Sequence, residues 1–275
     1  MSETKFEVTC EMSRYWLFCR LSGPEWAQHP RAATPGLPAV VPGLVRALQD
    51  QDADSRWFFH PYGDRSTPGI GLWFHSTVPV LNALKDRLAA DHPDWQTTYP
   101  GTLGPEIAEE LSTASSELAL DVARRGGLAA DQQLALAVLH LRELVGLVPP
   151  ADRQAFLFLC WQHWTDGLAP ERRTELGRLA CAGPVPGLAE SVTEQVQISW
   201  QHYLDTVRLT VAEQQLTGAL PVNYLLFDHA HLTHRRLAIT AEAEALAARL
   251  VREELSGAPA SPAPITTSVP SLQTA

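Results

Sequence analysis

The stretch Pro221–Leu255, PVNYLLFDHAHLTHRRLAITAEAEALAARLVREEL, packs three histidines, one aspartate and two arginines into the nine residues Asp228–Arg236, directly after the apolar run Tyr224–Phe227. Read as a helix, it stacks Asp228, His231 and Arg235 on one face and places His234 one turn beyond His231. Leu225, Leu232 and Arg236 fall on a neighbouring face. Thr240 is placed to cap a second helix, with Glu242 in its first turn and Leu246, Leu250 and Val251 as its buried stripe. Titratable groups joined to an apolar anchor suit proton transfer, and equally suit a solvated helix end. His229, His231 and His234 form no i, i+4 pair and no HExxH occurs, so no metal site is expected.

Upstream, Ser191-Val-Thr-Glu194 has the form of a capping box opening a long helix to about Leu216, with Val196, Trp200, Tyr203, Val207 and Val211 on its apolar side. Asp152 is expected to cap a helix through Phe156, Leu159, Cys160 and His163. Asp131–Leu147 carries Leu134, Val138, Leu141 and Val145 on one face and stops at Pro149-Pro150. The N-terminal third reads differently. Aromatic-rich runs at 15–21, 56–62 and 70–75 suggest strands, the second stopped by Pro61 and forming a hairpin with the third; 95–99 is a possible fourth. Helices are expected at 40–49 and 79–90. The implied class is α+β: a small, mainly antiparallel N-terminal sheet packed with helices, and a larger helical C-terminal half. Residues 1–255 read as a single domain, and 256–275, SGAPASPAPITTSVPSLQTA, as a disordered Pro/Ser/Thr/Ala tail.

With 275 residues, 45% of them hydrophobic, and a formal net charge of −10, the chain is that of an ordinary globular protein. The acidic balance argues against nucleic acid or an anionic membrane as main partner. No run of about 18 apolar residues suggests a membrane span. The N-terminal MSETKFEVTCEMSRYW lacks a signal-peptide pattern. Cys10, Cys19, Cys160 and Cys181 form no CxxC pair and read as reduced thiols of a cytoplasmic protein.

Asp228-His-Ala-His231-Leu-Thr-His234-Arg235-Arg236-Leu237 resembles the Ser-x-x-His-Met-x-x-Asn-Arg-Leu helix of the C-terminal elimination domain of lantibiotic dehydratases and its relatives in thiopeptide biosynthesis. His231 stands at the family histidine and Arg236 at the family arginine; Asp228 replaces the serine and Arg235 the asparagine. Trp57–Tyr62 is similar to the family's Trp-Phe-Phe-Ile-Arg-Tyr. Gly69–His75 stands for His-Leu-Arg-Leu-Arg, with both arginines missing and Leu72, Phe74 or their neighbours in their places. Thr98–Glu106 stands for a Tyr-x-x-Glu stretch ending in Arg-Tyr-Gly-Gly, again without its arginine. Ala108–Glu110 and Ser115-Ser116 follow in the next helix. The outline covers residues 15–120 and 200–255.

The resemblance implies an enzyme acting on a modified precursor peptide. Glutamate elimination from a glutamylated Ser or Thr calls for arginines that fork onto the glutamyl carboxylates, and those are gone. The pattern is more similar to the thiopeptide pyridine synthases, which join two dehydroalanines by a formal aza-[4+2] cycloaddition to a pyridine or piperidine macrocycle, with loss of water and the leader peptide. On that resemblance, His231, His234, Asp228 and Tyr99 are the catalytic candidates, and Ser115, Ser116, Glu106, Arg236 and Trp73 the substrate-binding ones. No cofactor is implied. The partners would be a leader-bearing, dehydroalanine-containing peptide and other enzymes of the same pathway. Asp228 either orients His231 or pairs with Arg235; Glu106 is equally a first-turn charge, and the two serines equally ordinary helix residues. His231 and Tyr99 are expected to line one cavity. Two alternatives stand: a glutamate-eliminating subunit using Arg56, Arg65 and Arg236, or an inactive leader-peptide-binding protein.

Overall fold

The computed structural model describes residues 13–22, 37–62, 69–91, 94–99, 109–181, 196–218 and 220–257. The N-terminal part is a four-stranded sheet of order β2-β3-β1-β4, formed by β1 (Arg14–Ser22), β2 (Arg56–Tyr62), β3 (Gly69–Thr77) and β4 (Gln96–Thr98). Each described pairing is antiparallel, and the register sets Leu17 and Trp57 on either side of Phe74, and Cys19 and Phe59 on either side of Leu72. These six side chains share one face and are buried. The opposite face is aromatic: Phe18 and Phe58 flank Trp73, with ring centroids 4.5 and 5.0 Å away. The alternation of the sequence thus becomes a core face and an aromatic face. Pro61 does not stop β2 but pairs with Ile70; an edge strand can take a proline because its outer N–H has no ladder partner to lose.

Helices α1 (Val41–Gln51), α2 (Val78–Asp91) and α3 (Glu109–Arg124) complete the sheet layer. The helical half holds α4 (Ala130–Leu147), α5 (Arg153–Trp164), α6 (Pro170–Ala180), α7 (Gln197–Thr217), α8 (Val222–Arg236) and α9 (Ala241–Leu255). The architecture is therefore α+β as read from the sequence. The apolar side of α7 is buried at Trp200, Tyr203, Val207 and Val211. Helix α6 was not foreseen: its buried residues are only Leu176 and Ala180, too few to give a stripe. Asp152 stands at the N-cap of α5 but in an αR conformation without a side-chain cap bond, so it does not act as the cap expected of it. The capping box at 191–194 and the tail from 258 onward lie outside the described residues. Among the described residues no helix is long and apolar enough to cross a membrane.

Helix α9 packs on α4, α5 and α6, and α8 packs on β2, α3 and α4. The two halves are tied at the outer edge of β2. The Phe59 N–H donates to Ser116 Oγ at 3.2 Å, and Arg236 Nε donates to the Phe59 carbonyl at 2.7 Å. Side chains from α3 and α8 thus occupy strand groups that an open edge would present to another chain.

Candidate functional site

Helices α8 and α9 are joined by a turn in which Ala238 adopts φ 58°. The Ile239 N–H reaches the His234 carbonyl at 2.9 Å and the Ala238 N–H the Arg235 carbonyl at 3.2 Å. This is a Schellman motif, with alanine where glycine is usual. Thr240 then caps α9, its hydroxyl accepting from Ala243 N–H. The tight reversal folds the first turn of α9 back onto the last turns of α8, which brings Glu244 to the histidines.

Glu244 is 1% exposed, and its carboxylate accepts from Nδ1 of both His231 (3.0 and 3.1 Å) and His234 (3.0 Å). Burial alone would raise the Glu244 carboxyl; the hydrogen bonds from the two histidines outweigh it and hold the group below its ordinary range. Beyond His234 the chain continues inward. His234 Nε2 meets His140 Nδ1 at 3.0 Å, His140 Nε2 meets the Tyr203 hydroxyl at 2.9 Å, and that hydroxyl meets Thr233 Oγ1 at 3.1 Å. Burial keeps His140 well below its ordinary value, with the neighbouring His234 adding to the effect, and raises the Tyr203 phenol.

The proton positions follow from the acceptor at the end. A carboxylate only accepts, so His234 donates from Nδ1. With His234 neutral, His140 donates to it, Tyr203 donates to His140, and Thr233 donates to Tyr203. A second proton on His234 reverses every bond from His140 onward. One carboxylate therefore anchors a run of groups that can move a proton by switching donors and acceptors together. His231 is the outer member, its side chain 31% exposed. With Nδ1 held by Glu244, Nε2 is the nitrogen left for chemistry, in the tautomer that a carboxylate partner enforces. The Trp164 ring lies nearly parallel to the rings of His231 and Phe227 at 6.3 and 6.2 Å.

Arg236 is also brought inside, 2% exposed, with Nη1 donating to Ser115 Oγ at 2.6 Å. Ser115 and Ser116 are fully buried. These three expected binding residues come together as the tie between α8, α3 and β2. His229 and His60 lie on the same side; burial, with the Arg236 charge, pushes both down to about 3. Asp228 is exposed and makes no hydrogen bond to His231 or Arg235 among the described residues; the orienting carboxylate is Glu244. Tyr99 follows β4, at the opposite edge from β2, with its hydroxyl on Asn82 at 2.8 Å. It packs against α2, with Lys85 over its ring at 5.9 Å, and makes no contact with His231 among the described residues. Trp73 lies on the aromatic sheet face, and Glu106 outside the described residues.

Sequence reasoning missed Glu244, His140 and Tyr203 as members of the site. Signals existed: Glu244 is in phase with the buried Ala248 and Val251, and His140 with Leu136 and Leu144.

A groove of about 710 Å³ adjoins the cluster between α5 and the first turns of α8. His163 and Phe227 line it, their centroids 5.2 Å apart, and His163 is 6.3 Å from His231.

The chain is matched over residues 16–255 by the family model described as lantibiotic biosynthesis dehydratase C-term. Among solved structures it is similar to the tRNA-dependent lantibiotic dehydratase MibB from Microbispora sp. 107891, with a TM-score of 0.58 and 18% identity. That match covers 94% of this chain and 29% of the dehydratase, so the chain spans less than a third of that protein's length. A second similar structure is TbtD, the pyridine synthase from thiomuracin biosynthesis, with a TM-score of 0.41 and 14% identity over 89% of this chain and 98% of that one. No curated protein matches. A family match over residues 16–255, on the fold described above, establishes that this chain belongs to the lantibiotic dehydratase C-terminal family.

Proposed function

We propose that this chain is a pyridine synthase of the thiopeptide type, acting on a leader-bearing peptide with two dehydroalanines. The observation that carries this reading is the composition of β3. Strand β3, where the resemblance would place two anion-binding arginines, presents Trp73 between Phe18 and Phe58 instead. Phe58 is 2% exposed and Trp73 half-buried, so what favours a neutral, unsaturated peptide over a glutamyl dianion is that β3 carries no arginine to fork onto the carboxylates. The cations weighed for elimination offer little: Arg56 pairs with Glu109 at 3.1 Å and Arg236 is buried against Ser115 and Phe59, while Arg65 lies outside the described residues.

The histidine cluster survives alongside that loss. In the cycloaddition one dehydroalanine and the amide preceding it, as the imidic acid, form the azadiene, and the other dehydroalanine adds across it. Two carbon–carbon bonds form. The former amide oxygen leaves as water, and the carbon–nitrogen bond to the leader breaks to release it as the amide, giving the aromatic ring without an oxidant. Tautomerisation and both eliminations need a proton moved at one place. His231 Nε2 supplies it, Glu244 holds the ring, and the run through His234 and His140 takes up the change of protonation. The scaffold adds the proximity of two distant peptide segments, which lowers the barrier by several kcal/mol.

The test incubates the purified protein with a leader-bearing peptide that carries two dehydroalanines separated by azole-containing residues. Mass spectrometry should find the macrocycle and the free leader amide without added cofactor. His231→Ala should slow product formation by about 10- to 1000-fold while leaving peptide affinity little changed. Intact peptide, together with glutamate release from a glutamylated one, would replace this reading by the elimination one; activity unchanged in His231→Ala would remove the site.

A further inference from the structure

The groove beside the cluster has a charge pattern that the chemistry above does not use. One wall is a single stripe of α5, with Ala155, Phe156, Leu159 and His163 at helical spacing. The other is the first two turns of α8, with Tyr224 and Phe227. Leu159 and Tyr224 are each 60% exposed at the rim, more apolar surface than a solvated groove needs. Carboxylates stand at both ends: Asp152 at the N-cap of α5 and Asp166 just past its last turn. No lysine or arginine lines the groove among the described residues. The helical rise separates the two aspartates by roughly 20 Å, the span of about six steps of extended peptide.

We infer that this groove docks a short extended segment of the precursor peptide, apolar in its middle and basic at both ends, and so delivers the adjoining residues to His231. The inference rests on the peptide-substrate reading above for the source of the segment. Apolar side chains settle between Phe156, Leu159 and Phe227, and each flanking cation meets one aspartate. The groove passes His163 and Phe227, whose rings flank His231 or its neighbour Trp164. The attraction is selective more than strong: exposed ion pairs contribute little each, yet a peptide with acidic ends would be repelled at both.

The probe is fluorescein-labelled Lys-Ser-Leu-Phe-Leu-Ser-Lys, titrated with the full-length protein and followed by anisotropy up to about millimolar concentration, beside the same peptide with glutamate ends. The lysine peptide should bind at least about tenfold more tightly than the glutamate one. Asp152→Lys combined with Asp166→Lys should weaken it about tenfold, since each exposed pair accounts for up to about fivefold and repulsion adds to that. Leu159→Asp should weaken it similarly, and His231→Ala should leave it within about twofold. Leu159 and both aspartates are exposed, so these variants should melt with the parent protein, which the same samples establish. Equal affinity for the two peptides, no saturable binding, or indifference to the charge reversal would overturn the inference. So would a dimer of the parent that Leu159→Asp dissociates, because a second copy would then own the groove. Binding as expected without any cyclisation would leave the groove standing and remove the catalytic proposal; cyclisation unaffected by the groove variants would do the reverse.

Discussion

Glu244 bonds two imidazoles through one buried carboxylate, Oε1 reaching both Nδ1 atoms and Oε2 that of His231 alone. Glutamine keeps the shape and its oxygen could still accept from both, but its nitrogen in place of Oε2 would set a donor against His231 Nδ1–H, and the anion that favours both donors is gone. Glu244→Gln is therefore expected to lower kcat by about 10- to 100-fold with KM nearly unchanged, the range seen when the partner of a working histidine is removed. The same change should cost about 1–3 kcal/mol of stability through an unsatisfied buried group. Urea unfolding and steady-state kinetics on one preparation check both; a loss of stability with full activity would make Glu244 purely structural. His140→Phe separates the inner run from the outer dyad: it should leave the His231–Glu244 bond in place and alter the pH profile of kcat, whereas a packing role alone would leave that profile fixed. The clustered residues of α8 were legible because three histidines in six positions stand out. Glu244 was not, because α9 is alanine-rich and small side chains blur which face is buried.

At the scale of elements, one turn and one strand position carry the geometry. Ala238 holds a left-handed conformation, φ 58°, which costs an L-residue roughly 1–2 kcal/mol. Ala238→Gly is expected to raise stability by up to about 1 kcal/mol, the gain in strain being partly offset by the freer unfolded chain; a lower melting temperature would show that the methyl packs more than it strains. Gly71 is the converse case. A Cβ there would lie 2.8 Å from the Trp73 ring and 2.9 Å from Phe18, so those rings rest over bare backbone. Gly71→Ala should cost about 1–3 kcal/mol by overpacking and disturb the aromatic face, visible as a changed tryptophan fluorescence. The strands and most helices could be read from periodicity alone, since alternation of Leu17, Cys19, Phe59 and Leu72 with outward rings, and the stripe of α7, each repeat several times. Helix α6 escaped because tertiary contact with α9, not its own pattern, holds its two buried residues, Leu176 and Ala180. The bond between β2, α3 and α8 escaped for a related reason: nothing local in the sequence announces that Ser115, Ser116 and Arg236 converge on one carbonyl and one amide of Phe59.

For the whole molecule, the buried histidines fix how stability responds to acid. His140, His229 and His60 are all depressed by burial, the latter two to about 3 with the charge of Arg236 adding to the effect. Each stays neutral in the folded protein while the unfolded chain takes up a proton at the ordinary histidine value of about 6.5. Between those limits the unfolded state binds more protons, so stability rises with pH and is lost as pH falls from about 6.5 toward 3. Glu244 acts in the same direction over a lower window: its folded value lies below the ordinary one, so its contribution is present above the ordinary carboxylate range and is lost as pH drops through its folded value. Urea midpoints should therefore fall steadily from about pH 7 to about pH 4.5, with the slope of unfolding free energy against denaturant unchanged. His229→Leu tests the assignment, because it removes one titrating group and leaves an apolar side chain in a site that is 4% exposed. The variant should lose less stability on acidification than the parent, and the difference should vanish above about pH 7.5, where the imidazole is neutral in both states. Parallel pH curves for parent and variant would mean that His229 binds protons equally in the folded and unfolded chains, and would place the acid sensitivity on Glu244 and the remaining histidines.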